Sequence, residues 1–333
     1  MAHRRTRYRD IIAIGASAGG AHALSELASG LPAELPAAVL VTQHISPRSP
    51  LVLAEILSWA GNLPATFAIN GEPIERGHIY VAPPDHHLLV GQERLLVTRG
   101  PRENGHRPAV DPLFRSAARQ YSQRVVAVVL SGALDDGSAG LVAVKARGGI
   151  SITQDPEDAL YSAMPRNAIE RDHPDHVVPV SELAELLCTL VQERLRPLTT
   201  NGRDTEQPIP DSAEPRGEDS SPIPVSCPEC GGPLFEGREG SMTTFRCLVG
   251  HRFAPASLDQ EQARNLEASL WSAARGLHER AELVRRLARE HGSGRVSTLY
   301  LDRARAFEEQ AEAIVAAVQR LGSESEQYTE ANT

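Results

Sequence analysis

The sequence has few aromatic residues, few cysteines and no long apolar run. Aromatic side chains make up 4% of the 333 residues, so nucleic-acid binding through stacked bases is not expected. The formal net charge of -9 also argues against a general polyanion binder. The apolar runs are only strand-sized, and the first nine residues are basic and polar. We therefore expect a cytoplasmic protein without a secretory signal or membrane insertion.

The most informative feature that is present is a serine at a strand-to-helix turn. The motif GASAG at residues 15–19 follows the apolar run at 11–14 and precedes a helical pattern. Its glycines permit a tight turn, and N–H groups that open the next helix can stabilise an oxyanion. The alternative is a dinucleotide-binding loop, but that loop needs glycine where Ser17 stands. The pattern therefore indicates a nucleophile.

A histidine and two acids follow later strands. His44 comes after the apolar run at 39–43, where a dinucleotide-binding protein would carry an acidic residue. Asp135 and Asp136 follow the apolar run at 125–130. Because the carboxyl ends of parallel strands meet in one crevice, Ser17, His44 and one acid can form a triad. Their chain order differs from that of the common hydrolase fold, but a triad is defined by geometry.

Alternating strand and helix signals predict an α/β fold for residues 8–196. We expect a doubly wound, mostly parallel sheet with an antiparallel edge hairpin over residues 88–98. The predicted strands are 11–14, 39–42, 65–69, 79–81, 88–90, 95–98, 125–130 and 150–154.

With these features in place, the sequence resembles the catalytic domain of the chemotaxis protein-glutamate methylesterases, the CheB family. The likeness covers roughly the first 190 residues. It rests on six ordered motifs: IGASAGG at 14–20, TQH at 42–44, YVAP at 80–83, HRPAVD at 106–111, LSGALDDG at 130–137 and MPR at 164–166. The resemblance implies that Ser17 is the nucleophile, His44 the general base and acid, and Asp136, with Asp135 as the second choice, the orienting carboxylate.

The resemblance also implies an activity. The protein would be a serine hydrolase that removes methyl esters from glutamyl side chains of chemoreceptor-type signalling proteins, with a related glutaminase reaction. Ala18 stands where the family often has threonine and Ala133 where it commonly has methionine, so both are expected to contact the oxyanion or substrate through their backbones. Catalysis needs no cofactor. Fewer than a dozen residues precede the first strand, so the family's N-terminal receiver domain is expected to be absent.

The composition changes after the first domain. Residues 197–226 are rich in proline, serine and acidic residues, which predicts a flexible linker. Over 227–256, Cys227, Cys230, Cys247 and His251 have spacing typical of a zinc ribbon. Four protein ligands leave no open position for water, so one structural zinc ion is predicted rather than a catalytic one.

Residues 257–323 are predicted to form a helical hairpin around GSG at 292–294. Two apolar stripes at near-heptad spacing are expected to pack against each other: Leu266, Leu270, Leu277, Val284 and Leu287, then Leu299, Phe307, Ile314, Val318 and Leu321. The hairpin could also form a homodimer or dock a partner, with Trp271 as an exposed anchor. Two hypotheses about function remain: an esterase, or an adaptor that keeps the fold and works through its zinc and helical modules.

Overall fold

The structure, a computed structural model, describes residues 8–195, 222–240 and 242–331, with side chains as far as residue 321. It divides into two compact units after Leu258. Each unit has its own apolar core, and the candidate site lies in the first.

Strands of buried, apolar sequence build the first unit. They are β1 (Ile11–Ala16), β2 (Ala38–Gln43), β3 (Ala65–Phe67), β4 (Ile79–Val81), β5 (His87–Val90), β6 (Leu95–Thr98), β7 (Val125–Val129), β8 (Ile150–Gln154) and β9 (His176–Val178). Seven of them form one parallel sheet in the order β3-β4-β2-β1-β7-β8-β9. The short outer strand β9 is not among the predicted strands, because only three of its residues are extended.

Helices cover both faces of this sheet, as continuous apolar strands require. They are α1 (Gly20–Gly30), α2 (Leu53–Ala60), α3 (Val110–Tyr121), α4 (Ser138–Ala146), α5 (Ala163–Asp172) and α6 (Val180–Gln192). Helices α1, α2 and α6 share one core with one face of the sheet, and α3, α4 and α5 share the other. The predicted doubly wound α/β fold is confirmed, and the strand order reverses direction beside β1, between β2 and β7.

The predicted hairpin is present but lies outside the main sheet. Strands β5 and β6 pair antiparallel over His87–Val90 and Leu95–Thr98 and form a two-stranded sheet of their own. They pack against α3 and the second core rather than extending an edge.

A four-stranded antiparallel ribbon follows in the first unit. Its strands are β10 (Pro222–Ser226), β11 (Pro233–Glu239), β12 (Met242–Cys247) and β13 (Arg252–Phe253), in that order across the sheet. The ribbon therefore begins at residue 222, which corrects the predicted linker end at 226; residues 197–221 of that linker lie outside the described residues. Proline is tolerated in β10 because β10 is an edge strand.

Two long helices follow the ribbon, α7 (Pro255–Glu290) and α8 (Arg295–Ala331). Within the second unit, the buried contact between them is made by Ala281, Val284 and Ala304, with Tyr300 and Phe307 beside them. The predicted leucine stripes are only partly correct, because Leu266 and Leu299 are exposed. Two alanines and a valine supply the buried contact instead. Among the helices of the described residues, none combines the length and apolar character that a membrane crossing needs.

Candidate active site and metal centre

The three predicted catalytic side chains lie together at the carboxyl edge of the parallel sheet. Ser17 directly follows β1 and His44 directly follows β2, and the last residues of these strands, Ala16 and Gln43, are register partners. Asp136 lies in the loop between β7 and α4. Since β7 is the other neighbour of β1, the three loops converge where the strand order reverses, which is the usual position of sites in open α/β sheets.

Two consecutive hydrogen bonds link Ser17 to His44 and His44 to Asp136. His44 Nδ1 lies 3.1 Å from Ser17 Oγ, and His44 Nε2 lies 2.6 Å from Asp136 Oδ2. A carboxylate can only accept, so the ring carries its proton on Nε2 and presents the Nδ1 lone pair to the serine hydroxyl. The two ring nitrogens thus exchange the roles they have in chymotrypsin-type proteases. The arrangement allows Nδ1 to take the serine proton.

Asp136 is buried and fully hydrogen-bonded. Its Oδ2 also accepts the Val110 N–H at 2.7 Å, and its Oδ1 accepts the Asp111 N–H at 3.1 Å and the Asn104 amide at 2.8 Å. Because Val110 and Asp111 open α3, the carboxylate lies at a helix N-terminus. Burial alone would raise the pKa of Asp136, but the hydrogen bond and charge of His44, with the donors from Val110 and Asn104, hold that pKa well below its usual range.

The turn that carries Ser17 is held from both sides. Ser17 N–H donates to Ser131 O at 3.0 Å, and Gly20 N–H donates to Ser17 O at 2.9 Å. Gly19 takes a left-handed φ of 73°, which glycine adopts without strain. A Cβ on Gly132 would lie 2.8 Å from Ser17 Cβ, so only glycine fits beside the serine.

Two backbone donors, one in the turn after β1 and one in the loop after β7, are unpaired among the described residues. The N–H groups of Ala18 and Ala133 donate no hydrogen bond within the part of the chain that the structure describes. Ala18 follows the serine, and Ala133 is an exposed residue of the loop after β7. Both positions are therefore chemically able to donate to an oxyanion.

Asp135, the second choice for the triad acid, faces away from His44. Its carboxylate accepts the Ala256 N–H at 2.9 Å, the Ser257 N–H at 3.1 Å and the Ser257 hydroxyl at 2.5 Å. These donors open α7, so Asp135 caps that helix. Burial raises the pKa of Asp135, while the bonds from Ser257 and Ala256 oppose the rise.

Two further residues contact the triad and are not among the residues predicted for the site. The His106 ring stacks on the His44 ring, with centroids 3.8 Å apart and planes at 17°. Asn104 contacts Asp136 directly. His106 begins the HRPAVD motif, which in the sequence serves only as evidence of family resemblance. The Asn-Gly pair at 104–105 is a turn signal that points to Asn104.

The ribbon brings its four predicted metal ligands together. The Sγ atoms of Cys227, Cys230 and Cys247 and a ring nitrogen of His251 all lie within 4.8 Å of one another. Three of the separations are 3.4 to 3.7 Å, near the ligand-to-ligand distance of roughly 3.5 to 3.8 Å in a tetrahedral zinc site. These residues could bind a metal. Burial raises the pKa of Cys227 to about 12, so metal binding there would release a proton.

A parallel α/β sheet with a serine, histidine and aspartate joined at its carboxyl edge is an arrangement typical of serine hydrolases. Residues 12–187 match the family described as CheB methylesterase. The chain therefore belongs to the CheB methylesterase family, as the sequence motifs predict. The ribbon and the two long helices lie outside the matched segment.

Relatives and a solved structure agree with this assignment. A protein-glutamate methylesterase/protein-glutamine glutaminase of Methanosarcina mazei is 36% identical over 196 residues, which is 56% of this chain and 53% of that protein. A putative enzyme of the same description from Leptospira interrogans is 37% identical over 187 residues, 56% of this chain and 97% of that protein. The Thermotoga maritima CheB methylesterase catalytic domain superposes with a TM-score of 0.53 at 34% identity, covering 55% of this chain and 98% of that structure. The chain thus spans about half the length of the M. mazei relative and nearly all of the L. interrogans one.

Proposed function

We propose that this protein is a protein-glutamate methylesterase that uses Ser17, His44 and Asp136 as its catalytic triad. The observation that carries the proposal is the continuous hydrogen-bonded path from Ser17 Oγ through His44 to Asp136. It lies inside the segment that matches the family. No feature of the described residues favours the adaptor hypothesis over the esterase.

In the proposed reaction, His44 Nδ1 takes the hydroxyl proton of Ser17 while Ser17 Oγ attacks the carbonyl carbon of a glutamyl methyl ester. The Ala18 and Ala133 N–H groups donate to the resulting oxyanion, each contributing roughly 3 kcal/mol if well placed. The imidazolium returns its proton to the departing methoxide, which leaves as methanol. A water molecule, deprotonated by the same nitrogen, then releases the glutamate carboxylate and restores Ser17.

The same steps act on a glutamine side chain, with ammonia as the leaving group. Asp136 keeps the imidazole in the productive tautomer and stabilises its positive charge. The proposed substrate is a carboxyl-methylated chemoreceptor or a similar signalling protein, and the proposed location is the cytoplasm.

The test is methanol release from a carboxyl-methylated receptor fragment by the full chain and by Ser17→Ala. We expect release by the wild type and a fall of at least about 1,000-fold in the variant. Equal release by both proteins would refute the serine mechanism. No release by the wild type would favour the adaptor.

We also propose that the metal in the ribbon is a single structural zinc ion. Three thiolates and an imidazole suit zinc, and four protein ligands leave no position for a reacting water. Purified protein should contain one zinc ion per chain, and Cys230→Ser should lose it. Cys188 lies in α6 and is the one cysteine of the chain outside the ribbon. Cys188→Ser is therefore the matched control and should keep the zinc. Zinc-free wild type with an intact ribbon would contradict the assignment.

We propose that the α7–α8 hairpin mediates self-association or docks a partner. The exposed side chains of Leu266, Trp271 and Leu299 support this. Light scattering of the wild type and of Trp271→Ala tests this. A wild-type dimer that is weakened in the variant supports self-association. If both proteins are monomeric, self-association is refuted and docking of a partner is the remaining role.

A further inference from the structure

Asn104 occupies a tight turn next to the triad. Residues Glu103 and His106 bond to each other through their backbones, at 3.2 and 2.8 Å, and enclose Asn104 and Gly105. The two central residues have φ values of 52° and 73°, as in the type I′ turns that favour an Asn-Gly pair. The turn places the Asn104 side chain in the interior, where it is 2% exposed.

The Asn104 amide is fully used, and its orientation follows from its partners. Its nitrogen donates to Asp136 Oδ1 at 2.8 Å and to Asp111 Oδ2 at 3.0 Å. Its oxygen accepts the Ala254 N–H at 2.7 Å. A flipped amide would turn its oxygen towards two carboxylates and its NH2 group towards another N–H donor. The Ala254 N–H therefore selects the orientation in which Asn104 supports Asp136.

Ala254 directly follows the last strand of the metal-binding ribbon. The neighbouring Arg252 O accepts the Asn104 N–H at 2.8 Å, so the ribbon holds both the backbone and the side chain of Asn104. Arg252 in turn follows the ligand His251 in sequence. Only two residues lie between this ligand and Ala254, so the contact with Asn104 is close in sequence to the predicted metal site.

A partly buried ionic cluster joins α3 and the Glu103 turn to the ribbon. Arg115 of α3 pairs with Glu103 and lies 3.7 Å from Glu239 of β11, and Arg252 lies 3.0 Å from the same Glu239 carboxylate. Burial would raise the pKa of Glu103, but the charges of Arg115 and Arg252 outweigh it and hold that pKa below its usual value. A buried charge left without its partner is costly, so undocking of the ribbon is opposed here.

Asp135 provides a third attachment one residue from the triad acid. By capping the Ala256 and Ser257 N–H groups, it fixes the segment that follows Ala254. Of the two adjacent carboxylates, Asp135 therefore faces the start of α7 and Asp136 faces His44.

We propose that Asn104 is a positioning residue for Asp136 and that the metal-binding ribbon holds Asn104 in place, so that the esterase rate depends on a folded, docked ribbon. This inference rests on the proposed esterase function. Loss of the Asn104 donor would leave Oδ1 of Asp136 with the Asp111 N–H as its remaining donor and loosen the alignment of the carboxylate with His44 Nε2. The effect acts on the chemical step, so kcat falls while KM is unchanged.

A double-mutant cycle on methanol release tests the first link. Asn104→Gly keeps the left-handed backbone accessible and removes the amide, and it should lower kcat by about 10-fold to 100-fold with KM within about twofold. In an Asp136→Ala background the same change should alter kcat by less than about twofold, because its target is gone. An equal fall in both backgrounds, or no fall in the wild-type background, would overturn the proposal.

The second link is tested with two changes at Ala254 in the full chain. Ala254→Pro removes the N–H that Asn104 accepts and leaves the four metal ligands intact, whereas Ala254→Gly keeps the N–H. We expect Ala254→Pro to lower kcat by the factor seen for Asn104→Gly, with no further fall when the two are combined. Ala254→Gly should retain most of the activity.

A metal-based measurement covers the case in which Ala254→Pro does not fold. Stripping the metal from the wild type with a chelator should lower kcat, and adding zinc should restore it. The same treatment of Asn104→Gly should have little effect. Full activity of metal-stripped wild type would overturn the ribbon's role. If the wild type is active and requires Ser17, but its kcat is unaffected by Asn104→Gly, by Ala254→Pro and by metal removal, only this inference fails. An inactive wild type would instead reject the proposed esterase function.

Discussion

Replacing Asp136 with asparagine is the sharpest test of which of the two adjacent acids, Asp135 or Asp136, serves the triad. In the native site, Asp136 accepts four hydrogen bonds, two on each oxygen. An asparagine NH2 group in place of Oδ2 would face the Val110 N–H and force His44 to accept at Nε2, which moves the ring proton to Nδ1. In place of Oδ1 it would face the Asp111 N–H and the Asn104 amide. In either orientation of the asparagine, its NH2 group therefore faces another N–H donor instead of an acceptor.

The magnitude follows from that geometry. A proton on Nδ1 leaves Ser17 without a base, and the comparable change in a serine protease costs about 10⁴ in kcat. We therefore expect a fall of about 10³ to 10⁴ in kcat, which is roughly 4 to 5.5 kcal/mol in the barrier. The buried donor contact should also lower the free energy of unfolding by about 1 to 3 kcal/mol.

Asp135→Asn is the matched control because it makes the same carboxylate-to-amide change at the adjacent residue. It weakens the cap of α7, at a cost of about 0.5 to 2 kcal/mol, and removes none of the hydrogen bonds to Asp136. Its effect on kcat should stay within about tenfold. The assay is methanol release with both variants at saturating substrate. Equal losses in the two variants, or an Asp136→Asn enzyme with more than a tenth of wild-type activity, would refute the reasoning.

Three further outcomes are expected. Gly132→Ala should lower kcat by more than about tenfold, because the added Cβ would press on Ser17. Its matched control, Gly276→Ala, lies in open space on α7 and should raise the free energy of unfolding by about 0.5 to 1 kcal/mol. Methanol release and urea unfolding are measured for both variants. Because the folded-state pKa of Glu103 is depressed, its contribution is present above its unfolded value of about 4.3 and is lost as pH falls through the folded value. The urea midpoint should therefore drop as the pH falls below about 4.3, and the drop should be smaller in Glu103→Gln. An equal drop in that variant and in the exposed control Glu236→Gln would contradict this. His106→Ala removes the ring stacked on His44 and should lower kcat more than it lowers stability, which paired kinetic and unfolding measurements would reveal.

The parallel sheet and its converging loops could be predicted because they depend on local patterns. Continuous apolar runs mark strands buried on both faces, and residues just after such strands must meet at one edge. This reasoning predicts that Ser17 and His44 lie at one edge, and the structure places them there, 3.1 Å apart. The same reasoning could not choose between Asp135 and Asp136, since both follow β7. Their opposite orientations are set by residues far away in sequence, Val110 on one side and Ser257 on the other.

Features that depend on long-range packing were predicted less well. The prolines of residues 222–226 indicate a linker, yet an edge strand needs only half of its backbone groups paired and accepts them. The leucine spacing of the last two helices predicts a leucine seam, whereas the buried contact uses alanines such as Ala281 and Ala304. Asn104 carries no motif of its own beyond a turn signal. Its role is visible only once Asp136 and Ala254 lie on either side of it.

A covalent intermediate on Ser17 is the most direct test of the central claim. The wild-type protein would be mixed with a short peptide that carries a glutamyl methyl ester, quenched in acid within the first turnover, and mapped by mass spectrometry. The account predicts that the fragment containing Ser17 gains the mass of the peptide less one methanol, and that Ser17→Ala shows no such adduct. Release of methanol by the wild type with the adduct on another residue, or with Ser17→Ala equally active, would contradict it.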